Sequence, residues 1–232
     1  MKRSLNKFYS LALLTSLAVV SSQSLAQMSV AESTTSNGTS LNLVLPVNLP
    51  STTAGNYWTG LLSITPSQTP GGSVSSFAAF CIDPFQYSNS GVSDYSVSSG
   101  LGALGSTNAT WVSNLYSQNY ASSTGNATGA AAFQLALWDL AKDDGALTTG
   151  KVQVTASTDS TVLNLANSMI SGAKSGPGSS PYSFSVYTSP TAQDYVVASV
   201  TPVPEPETYA MMLAGLALIG ATARRRSSKI FQ

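Results

Sequence analysis

Histidine is missing from all 232 residues, cysteine occurs once, and only 9% of the chain is charged, against about 25% in an ordinary soluble domain. Each shortage removes a class of chemistry. Without imidazole there is no Ser-His or Cys-His nucleophile pair, no His-ligated zinc and no imidazole proton shuttle. A single cysteine excludes an internal disulfide framework and a Cys-rich metal site. What charge there is lies unevenly. Seven of the ten basic residues (Lys2, Arg3, Lys7, Arg224, Arg225, Arg226, Lys229) sit at the two ends, leaving Lys142, Lys151 and Lys174 against eight acids in the middle. Such a mildly acidic, Ser/Thr-rich stretch lacks the Lys/Arg density that releases counterions from phosphates, so nucleic acid is not an expected partner. No cofactor fingerprint is present, and no cofactor, metal or enzymatic turnover is expected.

The ends read as addresses. Lys2, Arg3 and Lys7 precede an apolar stretch from Phe8 to Val20, and Ser24-Leu25-Ala26 follows it. This is the pattern of a secretory signal peptide over residues 1–26, cleaved after Ala26. At the other end, over residues 202–232, Val203-Pro204-Glu205-Pro206 is followed by a nearly uncharged run from Thr208 to Ala223 and then Arg224-Arg225-Arg226. Sixteen helical residues rise about 24 Å, a little short of the ~30 Å hydrocarbon core. The run is therefore expected to be a marginal transmembrane helix, with the arginines holding its end on the cytoplasmic side. Pro204 and Pro206 keep the backbone before it extended. This tail resembles the PEP-CTERM sorting signal. The resemblance implies an exosortase-type processing enzyme as partner, a transient membrane stage through the C-terminal helix, and delivery to the cell surface or extracellular matrix of a Gram-negative-type bacterium.

Between the ends, residues 27–201 are enough for one domain that buries most of its unfolded surface. Stretches at Leu41–Val47, Tyr57–Thr65, Val74–Ile82, Tyr182–Thr188 and Tyr195–Thr201 are rich in β-branched and aromatic residues and bounded by Gly, Pro, Asn and Ser, which predicts strands. The centre predicts helices: Ala130–Asp143, capped by Thr128 and ended by Gly145; Ser160–Ser171, stopped by Gly172; and Ala109–Tyr120. On the first of these, Phe133, Leu137, Leu140 and Ala141 form an apolar face, which leaves Asp139, Lys142, Asp143 and Asp144 facing water. Strands, then helices, then strands define an α+β chain: a β-rich, sandwich or barrel-like subdomain with a helical insertion.

Two residues stand out within it. Cys81, in Phe80-Cys81-Ile82-Asp83, is solitary in a compartment where exported proteins pair their cysteines or lack them. It is a small buried hydrophobe, half of an intermolecular disulfide, or part of another covalent bond. Gln134, in Phe133-Gln134-Leu135-Ala136-Leu137-Trp138, falls on or beside the apolar helix face and points inward. A buried amide needs partners, because leaving it bare costs about 1–3 kcal/mol.

Together these segments resemble the thioester domains of bacterial surface adhesins. In that family an aromatic-Cys-aliphatic-Asp strand motif meets a later helical Gln-x-Ala-aliphatic-Trp motif. The resemblance implies that Cys81 and Gln134 form the bond, with Phe80, Asp83, Phe133 and Trp138 around it. It also implies covalent attachment to an amine or hydroxyl of a surface or matrix polymer or protein. The alternative is a non-covalent, carbohydrate-associated matrix protein, with Tyr57, Trp58, Tyr95 and Tyr120 exposed for sugar stacking.

Other motifs are weaker. Ser171-Gly172-Ala173-Lys174 fits S-x-x-K without its companion elements. Asp143-Asp144 lacks the spacing of a calcium loop, and reads as solvated helix-end charge. Asn37, Asn108 and Asn126 each open an N-x-[ST] triplet, a pattern common by chance in such a composition.

Overall fold

The computed structural model describes residues 26–45, 54–66, 75–86, 93–176, 180–201 and 210–219. Seven strands form one antiparallel sheet: β1 (Ala26–Val44), β2 (Ala54–Pro66), β3 (Phe77–Cys81), β4 (Ser93–Ser99), β5 (Gln153–Val154), β6 (Tyr182–Thr188) and β7 (Tyr195–Val200). Their order is β2-β3-β7-β6-β4-β1-β5, and β1 also pairs with β2. The length of β1 makes this double pairing possible. Its first residues, Ala26–Val30, lie against β4, and the remainder, from Val30 to Val44, lies against β2, so the sheet curls back onto itself. The mixed helix and strand architecture matches the expected α+β class, in the form of a curled antiparallel sheet.

Between β4 and β6 the chain inserts α1 (Ser106–Ser123), α2 (Ala127–Lys142) and α3 (Ser160–Ser175). Asn126, not Thr128, caps α2, its side chain accepting from the Gly129 N–H at 2.6 Å. All thirteen residues from Gly129 to Ala141 are buried. Five alanines among them (Ala130, Ala131, Ala132, Ala136, Ala141) keep the helix slim, so that α1, α3, β1 and β2 all pack against it. A helix apolar all round is a core helix, and this corrects the expected placement of Asp139, which is fully buried instead of facing water. Of its acidic neighbours, Asp143 is half-buried and only Asp144 is exposed. Nor does Gly172 stop α3. The helix runs on to Ser175, and the Gly172 carbonyl accepts from the Gln118 Nε2 on α1 at 3.2 Å.

The expected signal peptide, residues 1–26, lies outside the described residues except Ala26, where β1 begins. The same holds for Val203, Pro204, Glu205, Pro206, Arg224, Arg225 and Arg226. Of the expected transmembrane helix, residues 210–219 are described; they are helical and exposed. Among the described residues no helix is long and apolar enough to cross a membrane.

Candidate functional site

The β2–β3 ladder ends at the pair Leu62 and Ala79. Beyond it, β3 keeps its partner on the other side, where Phe80 faces Val196, Cys81 faces Tyr195, and the Ile82 N–H donates to the Asp194 carbonyl at 2.9 Å. Backbone groups alternate sides along a strand, so the N–H and C=O of Cys81 point to the edge that β2 has left. Buried backbone groups need partners, and the Gln134 side chain supplies both. Its Oε1 accepts from the Cys81 N–H at 3.0 Å, and its Nε2 donates to the Cys81 carbonyl at 2.7 Å. An amide on a helix thus takes the place of a missing strand residue. Cys81 is 2% exposed and Gln134 1%.

The thiol donates to the Asp83 carbonyl at 3.2 Å. Burial pushes the thiol pKa far above the ordinary range. The Trp138 indole and the Asp83 backbone oppose that rise, and the charges of Asp83 and Asp194 reinforce it. The site is closed by rings: Phe80 and Phe133 lie 4.7 Å apart between centroids, and Tyr116 meets Phe133 edge-on at 4.9 Å. Asp83 bridges the site to its rim. Its Oδ1 accepts from the Phe85 N–H at 2.9 Å, and its Oδ2 pairs with the Lys142 ammonium at 3.3 Å.

All six residues expected at this site, Phe80, Cys81, Asp83, Phe133, Gln134 and Trp138, are therefore buried on or beside two adjoining segments. Three participants escaped the sequence. Lys142 follows Gln134 and Trp138 at i+8 and i+4, a spacing that already placed it on their stripe. Asp194, just before β7, and Tyr95, on β4, lie far from both motifs in the sequence, and no local pattern announces them. Asp194 Oδ1 accepts from the Ser189 N–H at 2.9 Å, and burial raises its pKa. The Tyr95 hydroxyl donates to the Gln193 carbonyl at 3.1 Å.

None of the four aromatics expected to be exposed is so. Tyr95 is buried, and Tyr57, Trp58 and Tyr120 are half-buried against the core. The asparagines of the N-x-[ST] triplets hold the frame together: Asn37 Nδ2 donates to the Thr124 carbonyl, Asn108 Nδ2 to that of Ala141, and Asn126 caps α2.

A curled antiparallel sheet around a buried helix, with a sulfur and a carboxamide sharing one dry compartment, is the class of molecule the coordinates define. Among solved structures it is similar to the N-terminal thioester domain of a surface protein from Clostridium perfringens, at a TM-score of 0.43 and 10% identity, over 60% of this chain and 88% of that one. No curated protein matches the chain. Residues 202–226 match the model of the PEP-CTERM protein-sorting motif. That motif implies export and membrane-associated processing by an exosortase, in Gram-negative-type bacteria.

Proposed function

We propose that this exported chain is a single-use covalent adhesin in which Cys81 and Gln134 form an internal thioester. The observation that carries the reading is the two-point hold of the Gln134 carboxamide on the backbone of Cys81 itself. That hold keeps the carboxamide against the residue that carries the thiol, and positioning of this kind lowers the barrier to a reaction between the two. The Cys81 N–H polarises the amide carbonyl and stabilises negative charge as it develops on Oε1.

The sulfur attacks Gln134 Cδ, a C–S bond forms, the C–N bond breaks, and the thiol proton leaves with the nitrogen as ammonia. Burial disfavours a free thiolate, so the proton passes to the departing nitrogen as the bond forms. The product is an electrophile shielded from water by Phe80, Phe133 and Trp138. An amine or hydroxyl of a surface or matrix partner then takes the acyl group, its proton returns to sulfur, and the Cys81 thiol is freed. No turnover follows. The Asp83–Lys142 pair beside the site is partly exposed, at 12% and 28%, and in this reading a target amine enters past it. The burial of Tyr95 and the half-burial of Tyr57, Trp58 and Tyr120 favour this reading over sugar stacking.

The intact mass of the purified exported protein tests the proposal. The expected chain is lighter by one ammonia than its sequence, and methylamine adds at Gln134 while a titratable thiol appears at Cys81. An unshifted mass with a thiol already present overturns it.

A further inference from the structure

The C-terminal end of α2 gathers negative charge that its neighbours do not balance. Asp139 is fully buried there, and neither of its carboxylate oxygens accepts a hydrogen bond of normal geometry. One oxygen from each of Asp139, Asp143 and Asp144 lies within 4.8 Å of the other two. The end of a helix that carries unpaired carbonyls favours cations, yet three acids collect at this one. Lys142 is taken by Asp83. Lys174 reaches the site through the space above Gly145, where a Cβ would fall 2.2 Å from its Cε. It donates to the backbone carbonyls of Asp144 and Gly145, at 3.0 and 2.7 Å.

The loop after α2 holds the carboxylates in place. Asp143 Oδ2 accepts from the backbone N–H groups of Lys151 and Val152. Gly150, at φ 76°, leaves room for this, since a Cβ there would lie 2.3 Å from the Asp143 carboxylate. Asp144 Oδ2 accepts from the Thr149 hydroxyl at 2.9 Å. Into this frame Asp139 projects a carboxyl that no hydrogen bond of normal geometry holds, with the Ala146 amide near it. Burial, then the charges of Asp143 and Asp144, push its pKa up to about 7, against weaker opposing pulls from the Ala146 amide and Lys174.

We propose that Asp139, Asp143 and Asp144 form a calcium site that ties the C-terminal end of α2 to the loop at residues 143–152. Oxygen donors without nitrogen or sulfur select a hard cation. Calcium–oxygen distances of about 2.3–2.6 Å allow two ligands on one ion to stand up to about 5 Å apart, whereas magnesium at about 2.0–2.1 Å allows only about 4.2 Å. Separations of up to 4.8 Å lie within calcium's reach, and its larger, more flexible shell accommodates them more readily than magnesium's octahedron. Three carboxylates fall short of the six to eight oxygens calcium takes. Water completes the shell on the exposed Asp144 side. Such a site belongs with extracellular modules of about 10⁻⁴–10⁻³ M affinity, in keeping with an exported protein. The proposal stands on different residues from the thioester and does not depend on it.

Equilibrium dialysis and thermal denaturation of the chelator-treated full chain, with calcium chloride or magnesium chloride, test it. One saturable calcium per chain is expected, with Tm rising by about 3–10 °C at ~10 mM calcium and by less than half as much with magnesium. Asp144→Asn changes an exposed side chain and leaves the core intact; it raises the calcium Kd by at least about tenfold. Asp139→Asn abolishes binding. Absence of saturable binding up to ~10 mM overturns the proposal, as does binding that survives both substitutions. If Asp139 is simply a neutral buried acid, Asp139→Asn leaves Tm unchanged or raised and calcium has no effect, which also overturns it.

Discussion

Replacing Cys81 by alanine separates a covalent link from an inert thiol through the size of the effect. A thioester between residues 53 positions apart closes a long loop in the unfolded chain, and the chain-entropy treatment of cross-links gives such a loop about 4 kcal/mol. Near this chain length each kcal/mol moves Tm by about 2–4 °C, so losing the link lowers Tm by about 8–16 °C. If Cys81 is only a buried hydrophobe, alanine removes one methyl-sized group. The cost is then about 1 kcal/mol, or about 2–4 °C. The two outcomes do not overlap. Alanine leaves the backbone N–H and C=O of residue 81 in place, so the Gln134 amide of the variant has both partners. A linked chain has lost Nε2 as ammonia, and the variant regains that one bond, about 1 kcal/mol, which narrows the shift without closing the gap. Thermal denaturation of the full chain with and without methylamine completes the comparison. Methylamine lowers the Tm of the natural chain to near that of the variant and leaves the variant unchanged. A Cys81→Ala shift of only about 2–4 °C, together with insensitivity to methylamine, refutes the link.

Three other expectations follow from the same geometry. In the Cys81→Ala background, Gln134→Leu strips two buried backbone groups of their partners, and denaturant melts should show a further loss of about 2–6 kcal/mol; a loss under about 1 kcal/mol would mean that water satisfies them. Lys142→Met removes a pair at 3.3 Å between partly exposed side chains, and urea unfolding should record no more than about 1 kcal/mol. Two aspartates act oppositely with pH, as melts of Asp→Asn variants between pH 3 and 7 should reveal. Asp194, whose pKa burial raises above 3.8, contributes stability that is present at low pH and lost as pH climbs through its folded value. Asp159 caps α3 through the Val162 and Thr161 N–H groups, which lower its pKa below 3.8. Its contribution is present above 3.8 and lost as pH falls through the folded value. Each asparagine variant should flatten its own limb of the profile while retaining the acceptor oxygen.

Where the sequence carried a periodic signal, it could be read closely. Tyr182–Thr188 and the helix around Gln134 appear where their patterns predict them. The first half of β1 and all of β4 do not announce themselves. Ala, Gln, Glu, Ser and Thr fill most of the former and Ser most of the latter, and without a sustained apolar alternation a strand has no local signature. Their pairing with β2 and β6 makes them strands. Asp139 shows the same limit within a helix: its charged neighbours in sequence place it at the water face, while packing on every side of α2 buries it.

The order of residues alone determined the address and singled out the central pair of the site. The tail is read as linear text, and Cys81 and Gln134 stand out because each is a reactive or polar group in an apolar segment. Only the tertiary structure decided that the two meet. β2 runs on to Ala54 along β1 but parts from β3 after the Leu62–Ala79 pair, before it can pair with Cys81, and the open backbone edge is filled by the Gln134 amide. That vacancy arises where β2 follows β1 and diverges from β3, a course settled by packing across the whole sheet.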